Sequence, residues 1–157
     1  MKKDKNDFYE DIDNLSLRNA TADDSEFAYQ TKKSAFRKYV ENVWGWDEDE
    51  QRQLHERRFL SQDFQVIQVS DTDVGILAII RQPDCVKINQ IFVLPEYQSK
   101  GIGTACIMRI IEDTNIPKLP VQLQVLKVNR RAIRFFQRLG FRSIGENDTH
   151  FLMERLQ

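Results

Sequence analysis

The 157-residue chain has only two cysteines, four prolines and six glycines. Cys85 and Cys106 show neither a CxxC pattern nor a histidine at metal-ligand spacing, so the sequence predicts no zinc site and no disulfide framework. We interpret both as buried structural thiols and expect no metal in the protein.

Long apolar runs and a strong charge of one sign are also missing. No segment approaches the roughly 18 apolar residues of a membrane helix, and the amino terminus is polar where a signal peptide would be apolar. A net charge of −1 gives no general attraction to nucleic acid. We therefore expect a cytoplasmic protein that binds neither membranes nor nucleic acid.

The composition that remains, 41% apolar and 30% charged, is that of one soluble domain. Residues 1–14 are mostly charged or polar and predict a loose tail, which leaves residues 15–157 as a single domain. Apolar periodicity then predicts the following order: a short strand from Leu15, a helix from Thr21 to Trp44, a helix from Asp47 to about Phe59, strands at 64–69, 74–80 and 86–94, a helix at 101–114, a strand at 121–125, a helix at 130–139, and strands near 141–144 and 150–154.

This order predicts an α/β fold with a mixed, mostly antiparallel central sheet and helices on both faces. Asp71–Asp73 is expected to form the turn before the strand at 74–80. That strand is almost continuously apolar, which indicates burial on both of its faces.

The most informative segment joins the strand at 86–94 to the following helix, because it carries Gly101 and Gly103. Such glycines let backbone N–H groups approach an anion at a helix N-terminus, and Gln98, Lys100 and Thr104 add side-chain donors. The spacing fits neither a P-loop nor a dinucleotide fingerprint. A plain strand-to-helix turn remains the alternative from these residues alone.

Two motifs together resemble the GNAT superfamily of N-acetyltransferases. Gln98-Ser99-Lys100-Gly101-Ile102-Gly103 is similar to the family's Gln/Arg-x-x-Gly-x-Gly/Ala loop. The block at 123–132, with Asn129-Arg130-Arg131-Ala132, and the segment Phe135 to Phe141 resemble its Asn-x-x-Ala helix and closing Gly-Phe. The resemblance implies the GNAT-like fold, with strands that splay at a bulge, and acetyl-coenzyme A as co-substrate without a metal.

The resemblance also implies a set of residues that bind coenzyme A. They are Val93, Gln98, Ser99, Lys100, Gly101, Ile102, Gly103, Thr104, Asn129 and Phe136. The loop residues would hold the pyrophosphate, the Val93 backbone would align the pantetheine arm, and Asn129 would lie near that arm. Asn129 can equally cap the helix that follows it.

The two motifs do not identify the catalytic acid and base. Phe136 occupies the position of the family's common proton-donating tyrosine, and Lys87, Asn89 and Gln90 provide no carboxylate where some relatives have a glutamate. His150 is our candidate base, because imidazole titrates near neutrality, and Tyr97 is a candidate acid. A hydrogen-bonded histidine at a strand end is the alternative for His150. His55 is expected to be an exposed residue of the second helix.

Glu41, Trp44 and Trp46 fall where this fold forms one wall of the acceptor site, so we expect them to contact an amine; core packing of the two indoles is the alternative. The sequence thus predicts an N-acetyltransferase that acts on a small-molecule or peptide amine by direct attack in a ternary complex. A non-catalytic acyl-CoA-binding or sensing domain and a structural interaction module remain the alternatives. Homodimers are frequent in the family, and one is possible here.

Overall fold

The computed structural model describes residues 14–114 and 118–157, so all but the last residue of the predicted tail 1–14 lies outside the described residues. In that part of the chain, seven strands form one sheet in the order β1-β2-β3-β4-β5-β7-β6. The strands are β1 (Leu15–Asn19), β2 (Asp63–Val69), β3 (Thr72–Arg81), β4 (Val86–Val93), β5 (Val121–Leu126), β6 (Arg142–Glu146) and β7 (His150–Arg155). The helices are α1 (Ser25–Trp44), α2 (Glu48–Ser61), α3 (Ile102–Thr114) and α4 (Arg130–Arg138).

Only β4 and β5 pair in parallel, and every other neighbouring pair is antiparallel. The predicted mixed, mostly antiparallel sheet is therefore confirmed. The central strand β3 is buried from Val74 to Ala78, as its continuous apolar run predicted.

Helix starts follow the local sequence. The Thr21 N–H donates to the Asp24 carboxylate at 2.8 Å, and a single 3-10 turn then leads into α1. Arg18 binds the same carboxylate at 2.8 Å and holds the pKa of Asp24 at about 2. Asp47 caps α2, because its Oδ1 accepts the Glu50 N–H at 2.9 Å.

Two apolar clusters lie on opposite faces of the sheet. The larger cluster packs α3 and Phe136 against strand residues such as Leu77 and Ile88. The smaller cluster packs Ala28 of α1 and Phe59 of α2 against Ile76 and Ala78. Helices α1 and α2 therefore cover one face of the sheet, and α3 and α4 cover the other.

The turn between β2 and β3 corrects one expectation. It is formed by Ser70 and Asp71, whose φ angles of 47° and 65° suit a two-residue hairpin turn, and β3 already begins at Thr72. Asp73 belongs to the strand, where its carboxylate accepts hydrogen bonds from Gln68 and Arg18. These hydrogen bonds satisfy the Asp73 carboxylate within β3, although its polar character had predicted a turn at this position.

Candidate active site

A cleft opens where β4 and β5 separate. The two strands pair only over Val86–Ile88 and Val121–Leu123, so the second halves of both strands have no backbone partner in each other. The pairing of β4 with β3 shifts at the same place, because Ala78 faces Gln90 while Ile79 faces Ile88, which leaves Asn89 as a bulge. A cavity of about 960 Å³ lies along this opening. The predicted splay at a bulge is thus confirmed.

The glycine loop forms one end of the cavity. Ser99 and Gly101 have positive φ angles of 61° and 82°, and α3 begins directly after them. Gln98 fixes the loop to the strand, since its Nε2 donates to the Val93 carbonyl at 2.9 Å. The loop and the first turn of α3 line the cavity together. This arrangement presents a helix N-terminus to an anion.

Most residues that the resemblance assigned to coenzyme A lie around this cavity. The lining includes Val93, Gln98, Ser99, Gly101, Ile102, Gly103, Thr104, Asn129 and Phe136, but Lys100 is not part of it. Ile102 is 1% exposed and anchors α3 in the core. Gly103 faces the Phe135 ring, and a Cβ placed there would lie 3.1 Å from the Phe135 Cζ. The lack of a side chain at Gly103 therefore keeps the loop close to α4.

Arg131 lies on α4 but binds two side chains of the glycine loop. The sequence motifs did not identify it as a site residue. From α4, its guanidinium donates to Ser99 Oγ at 2.8 Å and to Gln98 Oε1 at 3.2 Å. It also lines the cavity. Its neighbour Asn129 caps α4 by accepting the Ala132 N–H at 3.1 Å and lines the cavity as well, so the structural and binding roles are compatible.

Phe136 lies at the boundary between the cavity and the core. Its ring is 7% exposed and contacts the rings of Phe135 and Phe141 edge-on, with centroids 5.1 and 5.5 Å away. A phenyl ring donates no proton, so any acid for the leaving group must be another residue or water. Tyr97, also in the lining, packs against the same core cluster.

Trp44 of α1 and His150 of β7 form an aromatic pair with ring centroids 6.0 Å apart. Both line the cavity. His150 Nδ1 lies 2.8 Å from Thr149 Oγ1, and partial burial lowers the pKa of the imidazole below its ordinary value. Trp44 is 59% exposed, which excludes core packing for this indole.

Glu41 and Trp46 do not join this pair. Glu41 is exposed and pairs with Arg37 at 3.5 Å. Gly45, with a φ of 77°, turns the chain, and Trp46 Nε1 then donates to Glu48 at 2.9 Å. Of the predicted acceptor wall, the structure places only Trp44 at the cavity.

His55 corrects a further expectation, because it is 3% exposed where an exposed residue was predicted. Its ring lies within 6.1 Å, centroid to centroid, of Tyr29, Phe59 and Phe64, and its Nε2 contacts Ser25 at 3.1 Å. Burial lowers the pKa of this imidazole. His55 thus ties α2 to α1 and does not line the cavity.

The polar residues of the lining that the sequence analysis did not select as site residues include Lys32 of α1, Arg58 of α2 and Gln90 of β4. Lys32 and Gln90 are each 4% exposed. Burial, with a smaller effect of the Arg58 charge, lowers the pKa of Lys32 to about 8. A signal for Lys32 existed, because the apolar stripe through Phe36 and Val40 reaches it when it is extended one turn towards the N-terminus.

Both cysteines lie in the protein interior, as the sequence predicted. Cys85 and Cys106 are buried free thiols, and burial raises the pKa of Cys106 to about 12. In the described ranges, no group of three or more metal-binding side chains converges. None of the helices in those ranges has the length and apolarity to cross a membrane.

Comparison with known proteins agrees with this architecture. The sequence profile of the acetyltransferase (GNAT) family matches residues 22–141, so the chain belongs to that family. An uncharacterized N-acetyltransferase of Methanocaldococcus jannaschii is 31% identical over 144 residues, which are 85% of this chain and 63% of the relative. The chain thus spans less than two thirds of that relative's length.

Solved structures share the fold at low sequence identity. The PaiA N-acetyltransferase of Thermoplasma acidophilum, in complex with coenzyme A, has a TM-score of 0.72 at 17% identity and covers 91% of this chain and 99% of its own. A GNAT family acetyltransferase of Elizabethkingia anophelis with acetyl-CoA bound has a TM-score of 0.68 at 16% identity, with 92% and 99% covered.

Proposed function

We propose that the protein transfers the acetyl group of acetyl-CoA to an amine in a ternary complex. One observation carries this proposal: the glycine loop, the helix N-terminus and the open edge between β4 and β5 line a single cavity. The backbone of Ser99 and Gly101 suits a pyrophosphate, and the unpaired end of β4 suits the pantetheine arm. The coenzyme complexes of similar folds support the same ligand.

In this proposal the amine nitrogen attacks the thioester carbonyl carbon. The C–N bond forms, the C–S bond breaks and the thiolate leaves, while the nitrogen loses one proton to a base. The Val93 N–H would stabilise the negative charge that develops on the carbonyl oxygen. His150 would accept the proton, and Tyr97 or water would protonate the thiolate.

The decisive assay follows thiol release from acetyl-CoA and the mass of the acetylated amine over amino acids, amino acid amides, peptides and polyamines. Turnover of at least one class is expected. If calorimetry finds that coenzyme A binds but no amine is acetylated, the chain is an acyl-CoA-binding domain. If coenzyme A does not bind, the interaction-module alternative replaces both.

His150→Gln should lower kcat by about 100-fold if the imidazole is the base. Burial lowers the pKa of His150, so its neutral, proton-accepting form persists to lower pH than in an ordinary histidine. The kcat of the parent should therefore fall only on the acid side of neutrality, and the variant should lose this fall. A variant with an unchanged pH profile would assign the base elsewhere.

Trp44→Ala should raise the KM for the amine by about tenfold and leave the KM for acetyl-CoA unchanged, because Trp44 lies on α1, which covers the face of the sheet opposite α3 and its glycine loop. Since the indole is 59% exposed, the melting temperature should hardly change. Leu60→Ala is the matched control, because Leu60 is 88% exposed and lies outside this cavity. Equal effects of the two substitutions on amine KM would contradict the assignment.

A further inference from the structure

The charged side chains that line the cavity, among the described residues, are all basic. Among the described residues that line it, six are lysine or arginine and none is aspartate or glutamate, although the whole chain has a net charge of −1. Arg131 and Arg138 lie on α4, the helix that contacts the glycine loop, where a polyphosphate accounts for their charge. The other four lie on α1, α2 and β4: Lys32, Lys38, Arg58 and Lys87. Coenzyme A phosphates bound at the loop would not account for the positive charges of these four residues.

Lys32 and Arg58 differ in their ion pairing from Lys33 and Arg52 of the same helices. Lys33 pairs with Glu48 at 2.9 Å, and Arg52 pairs with Glu26 at the same distance. Over the described residues, neither Lys32 nor the guanidinium of Arg58 has a carboxylate within ion-pair distance. A buried and a half-buried cation in the lining of one cavity, with no carboxylate partner among the described residues, are costly, which indicates that an anion completes the group.

Gln90 supplies an independent observation. Its side chain is buried, yet neither Nε2 nor Oε1 has a hydrogen-bond partner among the residues that the structure describes. Gln90 pairs with Ala78, a member of the apolar cluster on the α1 and α2 face, and it lines the cavity on that side. A buried amide with no partner costs free energy unless a ligand both accepts from its nitrogen and donates to its oxygen.

We propose that the acceptor is an amine that also carries a carboxylate, bound by Lys32, Arg58 and Gln90 on the α1 and α2 side of the cleft. This inference rests on the proposed acetyl transfer and names its substrate class. The two cations neutralise the carboxylate, and the Gln90 Nε2 donates to it. An N–H group of the acceptor donates to Gln90 Oε1. Polyamines are poor ligands for this half, because like charges would face one another.

The substrate test compares each of the twenty amino acids with its own amide and with spermidine. The members of each pair differ by one charge at the same size. We expect kcat/KM for the preferred amino acid to exceed that of its amide by at least about tenfold, the effect of one lost charge-assisted hydrogen bond. Amides or spermidine that react as well as the amino acids would overturn the proposal.

Substitutions of Lys32 and Arg58 test where the carboxylate of the acceptor binds. Lys32→Gln and Arg58→Gln should each raise the KM for the amino acid by about 10- to 100-fold, and should leave the KM for acetyl-CoA and the KM for the matched amide nearly unchanged. Lys33→Gln is the control, because Lys33 follows Lys32 on α1 but pairs with Glu48 outside the cavity. Arg58 is only half-buried, so its variant keeps the test valid if Lys32→Gln folds poorly.

A binding arm separates this inference from the proposed function. Calorimetry of the complex with coenzyme A, titrated with the same amino acids and amides, requires no turnover. Binding of amino acids that Lys32→Gln weakens supports the carboxylate site even if no amine is acetylated. Equal binding of amino acids and amides, or binding that is insensitive to both substitutions, overturns it.

Discussion

Gly103→Val should weaken coenzyme A binding by about 100-fold or more, since it removes two or more charge-assisted hydrogen bonds to the pyrophosphate, each worth about 1.5–3 kcal/mol. Even a Cβ at Gly103 would stand 3.1 Å from the Phe135 ring, so the branched side chain must push the first turn of α3 away from α4. The backbone N–H groups of the loop then lose their common direction. Calorimetric titration with coenzyme A measures the loss.

The control for this prediction is Gly145→Val. Gly145 lies in β6, away from the cavity, and a Cβ there meets only Leu152 at 3.9 Å. This variant should bind coenzyme A as tightly as the parent. If Gly103→Val is folded by circular dichroism and binds like the control, the glycine loop is not the coenzyme site.

Lys32→Met should raise the free energy of unfolding by about 3–4 kcal/mol at pH 7, because a pKa lowered from 10.5 to about 8 corresponds to that cost at about 1.4 kcal/mol per pH unit. The pKa of Lys32 falls from 10.5 to about 8 in the folded protein. Below pH 8 both states of the parent carry the proton, so the native state bears the full cost of a buried charge. Methionine has a similar length and no charge.

The sign of the pH dependence follows from proton binding. Between pH 8 and 10.5 the unfolded parent holds a proton that the native parent has released, so the parent gains stability as pH rises. The advantage of Lys32→Met should therefore shrink across this window and vanish above it. Urea unfolding at pH 7 and pH 10 measures both values.

Lys33→Met is the matched control for stability, since Lys33 is partly exposed and paired with Glu48. Its effect should stay within about 1 kcal/mol, as is usual for surface ion pairs. A Lys32→Met variant less stable than the parent at pH 7 would mean that the buried ammonium is already compensated within the protein. Together with the KM tests, the expected gain in the free energy of unfolding would show that Lys32 lowers the stability of the fold and contributes to binding of the acceptor.

The parts of the site that were predictable from sequence depend on short-range chemistry. Gly101 and Gly103 allow a close approach of the backbone to a ligand, and Asn129 caps α4 because the N–H that it accepts belongs to Ala132, three residues away. The order of elements was predictable for a similar reason, since apolar periodicity reflects the burial of each strand and helix. The turn was predicted at Asp71–Asp73 and lies at Ser70 and Asp71, because polar side chains also extend into β3.

The parts that were not predictable depend on helix phase and on the burial of polar groups. Glu41 and Trp46 lie close to Trp44 in sequence, but α1 directs Glu41 to solvent and the bend at Gly45 carries Trp46 to Glu48. His55 sits in a highly charged helix whose pattern gives little indication of a buried face. Lys32 and Gln90 have polar side chains that ordinarily predict exposure, and only the fold brings them into one cavity.

The bulge at Asn89 has a consequence for how the site can change over time. Strict alternation after Ile88 would place Gln90 among the α3 and α4 core residues, yet the extra residue returns Ile91 and Val93 to that core and sends Gln90 and Phe92 to the opposite side. The bulge therefore accommodates one extra residue, at the place where β4 diverges from β5, without exchanging the two faces of the strand. Deletion of Asn89 would restore a regular register and leave Gln90 and Phe92 on the α1 and α2 side, so the bulge can be gained or lost while the side chains on each face stay the same.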